Sequence, residues 1–260
     1  MTKYKMAAAF ARVNEEGKKA FTAYIMAGDG GLHTLKETIL LLEDAGVTIV
    51  ELGIPFSDPV ADGPVIQEAG KRALAEKVTL KAVLDELASI KDDISIPIVI
   101  MTYANPVFKF GAQNFADHCA AAGVSGVIIP DVPMEEEKEF KDPLSKHDIA
   151  LIRFVTLTSS DERISETVNG AEGFIYAVTV NGITGARAGF AGDLSEHLAR
   201  ITEKSNVPVL AGFGVSSKEQ AETLGAACDG VIVGSKIVSL LHEGRGHEIK
   251  NLVPGRVGVK

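Results

Sequence analysis

Tryptophan is absent from this 260-residue chain, aromatic residues make up 6% of it, and cysteine occurs only twice. The missing tryptophan excludes no function by itself. Two cysteines, Cys119 in a helix-like stretch and Cys228 near the start of a strand-like one, are too few and too scattered for a disulfide framework or a zinc site. Both read as small core residues. No run approaches the roughly eighteen unbroken apolar residues of a bilayer span, so no membrane partner is expected. The opening "MTKYKMAAAFARVNEEGKKAF" lacks a sustained apolar region before a small-residue cleavage site, which disfavours export and places the chain in the cytoplasm. Basic charge is also scarce. With a formal net charge of −9 and no Lys/Arg cluster, a nucleic-acid partner is disfavoured.

Apolar residues, by contrast, make up 46% of the chain, enough to fill a core. Short β-branched runs recur along it: "AFTAYIM", "VTIVEL", "IPIVIMTY", "VSGVIIP", "IALIRFV", "GFIYAVTV", "VPVLAGFG" and "CDGVIVG". Between them lie stretches with helical spacing, such as "LKETILLLEDAG", where Leu35, Ile39 and Leu42 share one face. Strands apolar on both faces, alternating with amphipathic helices, point to a parallel sheet covered by helices. Eight such repeats in about 250 residues predict an α/β fold of the (β/α)8 barrel type. A single domain over residues 1–260 is expected, with extra short helices near 65–75 and beyond strand eight. Glycines in "DAGV", "AAGVSG" and "LGAACDG" are expected to end helices, and the tail "KNLVPGRVGVK" is expected to be mobile.

In this architecture the reactive groups gather at the C-terminal ends of the strands. In "VTIVEL" alternation puts Glu51 on the face of Val47 and Ile49, pointing into the barrel or at its mouth. A partly desolvated Glu there has a raised pKa and serves as acid and base near neutrality. A salt-bridged structural acid is the competing explanation. Asp62, before Gly63-Pro64, is either a second acid–base group or the N-cap of the helix that begins there. Asp58 and Asp131 invite the same two readings, as turn or loop holders or as reactive groups. After strands six, seven and eight come "VNGITGARAGFAG", "AGFGVSS" and "VGSKI", each placing Gly where backbone amides approach an anion closely. Together they outline a phosphate site, with a short helix starting at Gly234-Ser235. The loop over residues 181–192 is long and Gly-rich enough to act as a lid. The six histidines fall in helices or loops and read as surface or capping residues, no spacing suits a metal, and Lys236 reads as part of the short helix rather than a Schiff-base lysine. What remains is acid–base chemistry on a phosphorylated small molecule.

The segments "ELGIPFSDPVADGPVIQEA", "MTYANPVFKFG", "PDVPMEE", "NGITGA", "GFGVSS" and "VGSKIV" resemble, in order and over nearly the whole chain, the α subunit of tryptophan synthase. The resemblance implies a (β/α)8 barrel that cleaves indole-3-glycerol phosphate to indole and glyceraldehyde 3-phosphate by a retro-aldol reaction. Protonating the indole ring at carbon three makes the electron sink that carboxylates alone do not provide. Carried over, Glu51 is the acid–base glutamate and Asp62 the aspartate at the indole N–H. Tyr176 stands near both carboxylates, Tyr103 stands on the wall of the indole pocket, and Tyr24 occupies a place where many relatives have phenylalanine. The phosphate rests on Gly185, on Gly212-Phe213-Gly214 and on Gly234-Ser235. Thr184 lies in the lid, within bonding reach of Asp62 on closure. Val180 stands where some relatives carry an arginine, and Arg187 is the charge nearest in sequence. No cofactor is implied in this chain; pyridoxal phosphate belongs to a β-subunit partner in an α2β2 complex. A free-standing lyase, a non-catalytic activator of a partner and another phosphate-binding barrel, such as an isomerase, are the alternatives.

Overall fold

All seven residues of β1 (Ala20–Met26) are buried, and so are all five of β2 (Ile49–Gly53), as strands covered on both faces require. The computed structural model describes residues 2–179, 190–212 and 214–255. The further strands are β3 (Ile98–Met101), β4 (Gly126–Ile128), β5 (Ala150–Leu151), β6 (Arg153–Thr156), β7 (Ile175–Val178), β8 (Val209–Gly212) and β9 (Gly230–Val233). Every pairing is parallel, in the order β5-β4-β3-β2-β1-β9-β8-β7-β6. The two ends of that order, β5 and β6, are halves of one run broken only at Ile152. The sheet therefore closes on itself as a (β/α)8 barrel, and the fifth expected strand accounts for both β5 and β6.

Alternation along the strands separates two surfaces. Ile49, Val99, Ile128, Ile152, Phe174, Tyr176, Leu210 and Ile232 form one cluster inside the barrel, floored by Met6 of the N-terminal helix Thr2–Glu15. Val50 and Leu52 face outward to the helices instead, with Leu35, Ile39 and Leu42 of the helix Leu35–Asp44 buried against that side. Val47 belongs to this outer cluster, so of the two residues expected on the face of Glu51 only Ile49 is there. Gly46 and Gly123 close their helices at φ +86° and +72°, as expected, whereas Gly225 is the last residue of the helix Lys218–Gly225 and has no positive φ. The first part of the C-terminal tail is packed rather than loose: Leu252 and Val253 lie against the outer cluster. Residues 256–260 lie outside the described part.

One glycine is required by the closeness of two strands. A Cβ on Gly230 would stand 2.3 Å from the Ala20 carbonyl oxygen across the β1–β9 seam. Backbone does not yield as a side chain does. Gly230→Ala is therefore expected to lower the unfolding free energy by about 1–3 kcal/mol or more, read from urea denaturation.

Candidate active site

Glu51, third of the five residues of β2, lies beside Tyr24 of β1 and Val99 of β3 in the sheet register. Its side chain points into the barrel and is 2% exposed. No described residue bonds its Oε2. No cation among the described residues is paired with it either, which argues against the salt-bridge explanation. Burial, reinforced by the negative charge of Asp62, pushes the Glu51 carboxyl up to about 8.

Asp62 comes from the loop that β2 feeds, just before the helix Pro64–Ala75. That helix has Gly63 as its N-cap, with no side-chain cap bond, so Asp62 is not the capping residue. Its carboxylate accepts a hydrogen bond from Tyr103 Oη at 3.1 Å instead. Burial raises Asp62 to about 6, and the Tyr103 bond works against that rise. Two neighbouring carboxyls are thus held at different protonation states near neutral pH, an arrangement that serves a general acid and a general base.

Three tyrosines wall the carboxylates. Tyr103 precedes the helix Ala104–Phe110 and fixes the β2 loop twice, because Ala61 N–H also donates to its Oη, at 3.1 Å. Its ring packs on Phe56 at 5.2 Å between centroids. The resemblance implies only a pocket wall at Tyr103, since a hydrogen bond across 41 residues leaves no local trace. Tyr103→Phe is expected to raise the Asp62 pKa, moving the acid limb of the kcat/KM profile to higher pH while the alkaline limb stays. Tyr176 of β7 lies over Gly212, where a Cβ would meet its ring at 2.3 Å, and packs on Phe154 at 5.1 Å. Tyr24 lies over Gly53, where a Cβ would come 2.0 Å from Oη. Burial, with Glu51 and Asp62 both contributing, pushes the phenols of Tyr24 and Tyr176 well up and keeps them protonated. The glycines at these two strand ends give the rings their seats.

Asp58 and Asp131 are not part of this cluster. Asp58 is exposed and accepts a bond from Ser57 Oγ at 2.6 Å. Asp131 is exposed and accepts the Ala104 N–H at 3.0 and 3.2 Å, tying the loop after β4 to the helix after β3. One histidine also departs from expectation. His197 is 6% exposed, and its Nε2 bonds the Thr156 carbonyl at 3.1 Å, so it is a core residue rather than a surface one.

Beyond the end of β9, two strands round the barrel from β2, Gly234 begins the eight-residue helix Ser235–His242 without any side-chain cap bond. The first N–H groups of such a helix have no partner within it and suit an anion. Gly214 sits at φ +83°, beyond the end of β8 at Gly212. Downstream, the Ser216 N–H is already taken by Gln220 Oε1 at 2.8 Å. The rim and the carboxylates are connected: a Cβ on Gly234 would stand 3.6 Å from Tyr24 Cβ and 3.3 Å from Ile66 Cδ1, a residue that sequence reading had not singled out. Thr184, Gly185, Arg187 and Phe213 lie outside the described residues.

Residues 10–254 match the tryptophan synthase alpha chain family. The chain belongs to that family. It is 51% identical over 260 residues to the tryptophan synthase alpha chain of Oceanobacillus iheyensis, covering 100% of this chain and 99% of the relative. It is 50% identical over 249 residues to that of Bacillus cereus strain ATCC 14579, covering 96% and 95%. Among solved structures it is similar to tryptophan synthase from M. tuberculosis, with a TM-score of 0.85 and 30% identity over 97% of this chain and 98% of the other. Tryptophan synthase subunit alpha from Legionella pneumophila str. Paris superposes with a TM-score of 0.84 at 29% identity, over 96% and 95%. The tryptophan synthase alpha chain is a carbon–carbon lyase that cleaves indole-3-glycerol phosphate, and it needs no cofactor. Pyridoxal phosphate belongs to the β subunit, the partner that the family implies. No helix among the described residues is long and apolar enough to cross a membrane.

Proposed function

We propose that Glu51 and Asp62 carry out the cleavage, in one barrel domain spanning residues 1–260. The observation that carries this assignment is the buried Glu51 carboxyl, whose Oε2 has no partner among the described residues, standing beside a second raised carboxyl in the same mouth. The reaction starts with Glu51 protonated and Asp62 ionised. Glu51 gives its proton to ring carbon three, and Asp62 holds the N–H of the resulting indoleninium. The Glu51 carboxylate then takes the proton of the hydroxyl on the adjoining side-chain carbon. As that C–O becomes a carbonyl, the C–C bond breaks and its electrons restore the aromatic ring. Glu51 ends protonated, as it began, so the cycle closes with no other proton donor.

The phosphate is seated on the amides of Gly234-Ser235, joined by Gly212, Phe213, Gly214 and Gly185. Tyr103 and Tyr176 enclose the indole ring, and Thr184 closes over Asp62 from the lid. The helix start and the backbone amides supply favourable charge to this seat. Because indole is apolar and would escape into water, delivery to a β subunit within an α2β2 complex gives the cleavage its use, and the chain works in the cytoplasm.

The test is indole release from indole-3-glycerol phosphate by the purified chain, with and without the β subunit. Slow release alone and faster release with the partner are expected. Equal rates in both would overturn the α2β2 reading in favour of a free-standing lyase. Release in neither would overturn the catalytic assignment and leave a non-catalytic activator.

A further inference from the structure

Tyr24 Oη takes no part in the proton route of Glu51 and Asp62, yet it lies among them. The residue is 3% exposed, and the charges of both carboxylates act on its phenol. Tyr103 Oη is bonded on two sides, donating to Asp62 and accepting from Ala61. Tyr24 Oη, in contrast, donates to no protein acceptor among the described residues. Unlike Glu51 Oε2, this oxygen is not sealed off in the core, so its O–H is free to donate to an acceptor that arrives with the substrate.

The position of the ring indicates which acceptor. The Cβ end of Tyr24 packs at Gly234, where the short helix begins, and Oη lies above Gly53, two residues beyond Glu51 on the same face of β2. The side chain therefore spans the distance between the phosphate seat and the acid–base pair. With the phosphate at one end and the indole ring at the other, the three-carbon chain and its two hydroxyls must lie along this span. We infer that Tyr24 Oη donates a hydrogen bond to a hydroxyl of that chain, so that Tyr24 selects the hydroxylated substrate over a ligand with a bare alkyl chain. This rests on the substrate orientation given under Proposed function. A phenylalanine at the same place would keep the ring wall and lose the selection.

Two ligands and one oxygen atom test it. kcat/KM is measured for indole-3-glycerol phosphate, and Kd for indole-3-propanol phosphate, which has the same ring and phosphate but no chain hydroxyls, in the wild type, Tyr24→Phe and Tyr24→Leu. Tyr24→Phe is expected to lower kcat/KM roughly three- to tenfold while leaving Kd for the bare-chain ligand unchanged within about twofold. Tyr24→Leu, which also loses the ring, is expected to weaken both ligands. Unchanged thermal unfolding of Tyr24→Phe and unmoved limbs of its pH profile accompany the expected result. Equal losses for both ligands, no loss for either, or a shifted pH profile would overturn the inference. A wild type that turns over the substrate while the variants respond in one of those ways refutes the Tyr24 contact alone. A wild type that binds neither ligand refutes the site itself.

Discussion

Glu51→Gln is expected to lower indole release by about 10³-fold or more, while the folded protein becomes more stable at alkaline pH. The two effects have one cause. Gln matches the shape of the protonated acid but neither gives nor takes a proton, so ring carbon three is not protonated and the chain hydroxyl keeps its hydrogen. Stability moves the other way because the Glu51 carboxyl rises from its ordinary 4.5 to about 8 on folding. Between those values the folded chain holds a proton that the unfolded chain releases. Wild-type stability therefore falls as pH rises from about 4.5 to 8, and the loss is complete above 8. Below about 4.5 both states are protonated and the variant has no advantage. Urea denaturation at pH 4.5 and pH 9 should show no gain at the first and a gain of the order of a few kcal/mol at the second. An inactive variant with no alkaline gain would mean that Glu51 is ionised in the resting protein.

Asp62→Asn is expected to cost about 10²-fold in kcat/KM, since the indoleninium N–H loses its counter-charge but Glu51 keeps its proton. The substitution also reaches Glu51. Asp62 is part of what raises the Glu51 carboxyl, so the neutral amide lets Glu51 titrate at lower pH and the alkaline limb moves down. Asp58→Asn serves as the comparison, because Asp58 is exposed and bonded to Ser57 away from the acid–base pair. It is expected to leave cleavage by the isolated chain within about twofold, as substitutions at exposed sites usually do.

The barrel was legible because its strands are apolar on both faces and its helices carry one stripe, which survives in a linear sequence. Glu51 was legible for the same reason: two-residue alternation in "VTIVEL" places it inside with Ile49. Asp62 was less so. Nothing local separates it from Asp58, four residues earlier in a loop rich in turn formers, and only the tertiary contact with Tyr103 does. Gly53 and Gly212 were not readable as seats for Tyr24 and Tyr176, because a glycine forced by a distant ring looks like any other glycine. The break at Ile152 and the burial of His197 also depend on neighbours remote in sequence.

The most direct measurement of the central claim, two carboxyls held apart in protonation at one mouth, is the pH dependence of kcat/KM, which reports the free enzyme's acid and base. A bell is predicted with its acid limb near 6, set by Asp62, and its alkaline limb near 8, set by Glu51, the latter moving down in Asp62→Asn. A profile flat from pH 5 to 9, or an alkaline limb that ignores Asp62→Asn, would contradict it.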